Sequence, residues 1–156
     1  MEIVNATIPD DLDEIRCLFR EYRKFVDVDT CCKGFQQVLR NLPGKYAPPQ
    51  GRLLLALDQG DVAGCVGLRE VEPGICEMKH LYVRPKFQGK KFGRALAETV
   101  IQEARNIGYT RMRLDTLKEL KAALSLYKSL HFKQVHPDIN EDNSLSKAVC
   151  LELDLA

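Results

Sequence analysis

The stretch from Leu81 to Gly108 constrains the fold more than any other part of this chain. Leu81-Tyr82-Val83 reads as the end of a strand and Arg84-Pro85 stops it. Lys86 to Lys91 form a basic turn around Gly89, and an amphipathic helix then runs from about Gln88 to Ile107. Phe92, Leu96, Val100, Ala104 and Ile107 form its apolar stripe, and Gly108 stands where a helix C-terminus favours glycine. A strand that turns sharply into a helix presents unpaired N–H groups and the positive end of a helix dipole, a setting for phosphate or pyrophosphate. From Met78 to Ala97 the chain has Lys79, Arg84, Lys86, Lys90, Lys91 and Arg94 and no acidic residue. In a chain of net charge +1, that concentration falls where an anion would sit.

The chain of 156 residues is expected to form one domain, residues 1–156, with a proper core. The near-neutral charge balance argues against a nucleic-acid partner. No apolar run is long enough for a membrane span, and the acidic start with Glu2, Asp10 and Asp11 lacks the layout of a secretion signal, so a cytoplasmic location is expected. Cys17, Cys31, Cys32, Cys65, Cys76 and Cys150 contain no Cys-x-x-Cys pair and are read as free thiols. No metal-ligand spacing is present.

Along the chain, Ile3 to Thr7 can form a strand. Pro9-Asp10-Asp11 open a helix carrying Leu12, Ile15, Leu18, Phe19 and Tyr22 at helical spacing. A short helix is expected over Phe35 to Leu42, with Phe35, Val38, Leu39 and Leu42 on one side. Pro43 to Gly51 is a stiff loop. Arg52–Leu57 and Val62–Arg69 flank Asp58-Gln59-Gly60-Asp61, a hairpin signal, and Glu72-Pro73-Gly74 turns into a strand over Ile75–Val83. After the long helix come a strand at Met112–Thr116, a helix at Leu120–Leu130, and strands at Phe132–Val135 and Ala148–Leu155. Asp138 to Ser146 is a polar loop. The order βααβββαβαββ implies an α/β (α+β) fold, a mixed, mostly antiparallel sheet of about six to seven strands with helices on both faces.

Two segments carry a family resemblance. Leu81-Tyr82-Val83-Arg84-Pro85 followed by Gln88-Gly89-Lys90-Lys91-Phe92-Gly93 resembles the acetyl-CoA-binding motif of the GNAT superfamily of N-acetyltransferases, Gln/Arg-x-x-Gly-x-Gly/Ala between a strand and a helix. Ala123 to Phe132 resembles that family's later signature, a helix with a tyrosine followed by Gly-Phe at the next strand. The element order matches over nearly the whole chain. Two positions depart: Lys91 stands where the second glycine is usual, and His131 replaces the glycine that closes the tyrosine helix.

The resemblance implies acetyl transfer from acetyl-CoA to an amine of a small molecule, amino acid, peptide or protein, by a monomer or homodimer. It implies that Gln88, Gly89, Lys90, Lys91, Phe92, Gly93 and Arg94 hold the pyrophosphate. The pantetheine arm would run along Leu81, Tyr82 and Val83 like an added strand, with the backbone of Leu81 and Val83 polarising the thioester carbonyl. Tyr127 matches the tyrosine that protonates, or hydrogen-bonds to, the departing thiolate, whereas periodicity alone favours a core aromatic. Glu77 and His80 are the candidate bases. In a regular strand they face opposite sides of the sheet, and only a bulge would change that. Tyr46 and Arg52 are candidate acceptor contacts beside the first two helices. Two other readings share the phosphate turn: a non-catalytic acyl-CoA-binding or sensing module, and a nucleotide-phosphate domain, which would bind ATP or GTP before CoA.

Overall fold

The computed structural model describes residues 1–26, 34–135 and 148–156. The elements are β1 (Glu2–Asn5), α1 (Leu12–Val26), α2 (Phe35–Asn41), β2 (Arg52–Asp58), β3 (Asp61–Glu72), β4 (Ile75–Val83), α3 (Phe92–Ile107), β5 (Arg111–Leu117), α4 (Lys121–Ser129), β6 (Lys133–Val135) and β7 (Ala148–Asp154). Short 3-10 turns at Gly44–Tyr46 and Pro85–Phe87 complete the order. This is the order expected from the sequence. Cys31, Cys32 and the polar loop over 138–146 lie outside the described residues.

Among the described residues a single sheet of seven strands runs β1-β2-β3-β4-β5-β7-β6. Neighbours are antiparallel except β4 and β5, which are parallel and joined across the sheet by α3. Alternation divides the side chains into two cores. Under α3 and α4 lie Leu54, Val66, Leu68, Met78, Leu96, Val100, Met112 and Leu151. On the opposite face Ile15, Leu18 and Phe19 of α1 and Leu39 of α2 pack on Leu53, Leu55 and Cys65. Each fully buried aliphatic side chain contributes about 1.5–3 kcal/mol of burial, so both helical layers are held mainly by these contacts.

The local chemistry explains the element ends. Asp13 and Glu14 open α1 while Arg23 and Lys24 close it, each sign opposing the helix dipole. At the end of α3, Tyr109 donates its N–H to Ala104 and Gly108 donates to Arg105, with Gly108 at φ 111°. The helix itself begins at Phe92, not Gln88, because Pro85–Phe87 form a separate turn. Val38 was expected on the buried side of α2 but is 37% exposed, since α2 ends at Asn41 and seats only Phe35 and Leu39.

Candidate active site

β4 and β5 pair only at Ile75–Arg111, Cys76–Met112 and Glu77–Arg113. Beyond Glu77 no β5 partner follows, and the two strands leave a notch between Met78–Val83 and Leu114–Leu117. Arg84 donates its N–H to Ala63 of β3 at 2.8 Å. By antiparallel alternation Tyr82 also turns its backbone groups to β3, which turns those of Leu81 and Val83 to the notch. The carbonyl of Val83 accepts from the Gln88 side-chain amide at 3.0 Å, tying strand to turn.

The turn ends at the N-terminus of α3, where Lys91 is the N-cap with φ 68° and ψ 19° and no side chain caps the helix. The left-handed conformation that glycine would adopt there is therefore taken by a lysine, and the first N–H groups of α3 have no intrahelical partner. Gly89 is also left-handed, at φ 85°. Phe87 and Phe92 meet edge to face at 6.0 Å beneath the turn, while Lys86 and Lys90 ride over the Phe87 ring. Lys90 remains 59% exposed, with Asp58 at 3.9 Å. Arg94 donates to Ser129 Oγ at 2.5 Å, which joins α3 to α4. A Cβ at Gly93 would meet Val83 Cγ2 at 3.8 Å and Leu126 Cδ2 at 3.9 Å, so this position has room for a methyl group.

Arg84 belongs to the basic run in sequence but not to its free charge. Its guanidinium holds Glu14 at 3.0 Å and Glu21 at 2.9 Å and donates to the Val62 carbonyl at 3.0 Å. It fastens α1 to the sheet. Tyr82 likewise turns its side chain to α1, where its hydroxyl donates to Glu21 at 3.3 Å. Only the backbone of Tyr82 remains near the strand edge expected for it.

Tyr127 is 6% exposed and packs edge to face on Phe132 at 5.7 Å. Burial raises its pKa, with the nearby Tyr22 adding to the effect, so the hydroxyl keeps its proton. The end of α4 fixes this side chain. Phe132 donates to the Tyr127 carbonyl and His131 to that of Lys128, a Schellman closure with His131 at φ 77°. The histidine that replaces glycine is thus left-handed, at a cost of about 1 kcal/mol.

The register between β3 and β4 contains the bulge that overturns strand parity. Cys65 pairs with Tyr82 and Gly67 with Lys79, so β4 has one extra residue, and His80 takes φ 57°. Glu77 and His80 therefore share a face, the one under α1 and α2. Glu77 is held by Arg69 at 2.7 Å and lies opposite Arg113 in register. His80 stacks on Phe19 at 3.9 Å with Tyr22 and Tyr46 at 6.0 and 6.3 Å, and its Nδ1 is buried with no hydrogen-bond partner among the described residues. Burial foremost, then the charges of Lys79 and Arg69, pushes its pKa down to about 3, so the imidazole is neutral.

Of the two acceptor contacts expected, Tyr46 is on this face, its ring covering Gly67, where a Cβ would lie 2.8 Å from the ring. Arg52 is not. It bonds the carbonyls of Pro49 and Gly51 and lies 3.6 Å from Glu103 of α3, on the other side of the sheet. Phe19 and Tyr22 were read only as apolar helix positions, and Lys79 only as part of a basic run. No local signal joined them to His80, because the bulge that gathers them is set by pairing with β3.

A parallel pair that parts after Glu77, an uncapped helix N-terminus at its mouth and the helix of Tyr127 are thus gathered at one end of the sheet. The model of the Acetyltransferase (GNAT) family matches residues 13–132, and the chain belongs to that family. An uncharacterised N-acetyltransferase of Schizosaccharomyces pombe is 38% identical over 158 residues, covering 100% of this chain and 96% of that protein. A GNAT-family acetyltransferase of Staphylococcus aureus superposes with a TM-score of 0.81 at 18% identity, covering 99% of each chain. An acetyltransferase of Salmonella typhimurium, solved with its cofactor acetyl-CoA, gives a TM-score of 0.71 at 21% identity, over 100% of this chain and 94% of that one. The chain is thus an acetyltransferase, and acetyl-CoA is the donor its family uses. Among the described residues, no helix is long and apolar enough to cross a membrane.

Proposed function

We propose that the enzyme moves an acetyl group from acetyl-CoA to a primary amine by direct attack on the thioester. The observation that carries this reading is the continuity of notch and turn. The backbone of β4 that faces the notch leads through the Gln88–Val83 hydrogen bond into the uncapped start of α3.

In this reading the N–H groups from Gln88 to Gly93 hold the pyrophosphate, with Lys90, Lys91 and Arg94 adding charge. Arg84 is absent from that set because Glu14 and Glu21 neutralise it. The donor supplies an activated acyl carbon. The N–H groups of Leu81 and Val83 face the notch and can hydrogen-bond to its amide and carbonyl oxygens. Tyr127, whose hydroxyl burial keeps protonated, hydrogen-bonds to the departing thiolate and hands it the proton as the charge develops there. The proton of the acceptor amine leaves through water beside His80, whose neutral ring presents an unsatisfied Nδ1. Glu77, held by Arg69, serves to fasten β4 to β3 rather than as the base.

Calorimetric titration with acetyl-CoA, CoA and ATP, followed by an amine panel with acetyl-CoA, tests the proposal. CoA-selective binding with turnover is expected. Preference for ATP would remove the phosphate-turn assignment, and CoA binding without turnover on any amine would favour a sensing module.

A further inference from the structure

On the α1–α2 face of β3 and β4, three carboxylates are held by arginines. Glu77 is taken by Arg69 at 2.7 Å, and Glu14 and Glu21 by Arg84 at 3.0 and 2.9 Å. Lys79 lies on the same face, opposite Gly67 in register and partly buried. No carboxylate among the described residues forms an ion pair with it.

A lone lysine is usually just a solvated charge, but the next residue makes this one different. His80 holds a left-handed φ, and its buried Nδ1 has no partner. Phe19 stacks on its ring, and Tyr22 and Tyr46 approach it edge-on. Lys79 and His80 are thus consecutive residues of the bulge, His80 against its aromatic walls, where β4 has left β5. Buried polar groups of native proteins normally find partners, and among the described residues this ring nitrogen has none.

Building on the acetyl-transfer reading above, we propose that the acceptor is a small amine that also carries a carboxylate. Lys79 holds the carboxylate, and His80 Nδ1 accepts a hydrogen bond from the acceptor's nitrogen. Phe19, Tyr22 and Tyr46 flank its carbon skeleton. Polyamines and lysine-rich peptides fit poorly, because Lys79 offers them a repelling ammonium.

The test compares matched amines that differ only in charge: amino acids, their α-amides, and the α-amides of aspartate and glutamate, which keep a side-chain carboxylate. Binding is read by ligand-observed NMR on free and CoA-loaded protein, and turnover by thiol release. The carboxylate member of each pair should be favoured roughly tenfold or more. Lys79→Gln should abolish the preference and Lys79→Arg restore much of it, both with unchanged CoA affinity. Preference for the aspartate and glutamate α-amides over amides lacking any carboxylate would place the recognised carboxylate on the side chain. Equal binding within pairs, or a preference that survives Lys79→Gln, overturns the proposal. Loss of CoA binding in calorimetry would sink the acetyl-transfer reading instead, while the carboxylate preference would still be read on the free protein.

Discussion

The imidazole of His80 lies nearly flat on the ring of Phe19, centroids 3.9 Å apart and planes 23° apart, so that the bulge of β4 is clamped directly against α1. This contact buries a titratable ring among aromatic groups and beside two cations. Its thermodynamic consequence has a definite sign.

His80 in the unfolded chain takes up a proton near pH 6.5, its ordinary value, but in the folded protein only near pH 3. Between those values the unfolded state binds more protons. Stability from this residue is therefore intact above pH 6.5 and falls as the pH drops, by up to about 1.4 kcal/mol per pH unit. Asparagine tolerates a left-handed backbone and does not titrate. Urea midpoints of wild type and His80→Asn, measured from pH 7 to 4, should converge; parallel pH profiles would show that His80 is not buried as described.

At the start of α3, charge and bulk can be separated. Gly93→Ala should leave acetyl-CoA affinity within about twofold, since its methyl group meets only ordinary contacts at 3.8 and 3.9 Å. Gly93→Asp should weaken affinity roughly tenfold or more while keeping or slightly raising the melting temperature, because a carboxylate favours a helix start. Equal calorimetric affinity for all three proteins would remove the pyrophosphate from this helix end.

Tyr127→Phe keeps the aromatic contact with Phe132 and removes only the hydroxyl. Turnover should fall by about a hundredfold with acetyl-CoA affinity preserved. Unchanged turnover would return Tyr127 to a packing role.

At the end of α4 the left-handed His131 is a removable strain. His131→Gly should stabilise the fold by about 1 kcal/mol in urea unfolding without altering CoA affinity. Destabilisation would mean that the imidazole makes contacts worth more than its backbone costs.

The sequence was most legible where structure is set locally. Gly108 closes α3, Pro85 ends β4, and the Asp58–Asp61 turn makes its hairpin, because each depends on residues within a few positions. What escaped was set by distant pairing. The parity of Glu77 and His80 depends on how β4 meets β3, and the loss of Arg84 from the basic set depends on two glutamates of α1. Tyr82 points away from the notch for the same reason: Glu21, in α1, receives its hydroxyl. The placement of Arg52 was equally unreadable, since the partner that holds it, Glu103, is on the opposite layer.

The sheet is bounded by β1, with 4 residues, and β6, with 3. Strands this short are poor templates for another chain, so the outer borders offer little for intermolecular pairing. The longer unpaired border is internal, along the second half of β4. A molecule arranged in this way keeps its capacity for strand addition inside a confined notch, admitting a slender amide-bearing ligand while denying the same hydrogen bonds to a neighbouring polypeptide.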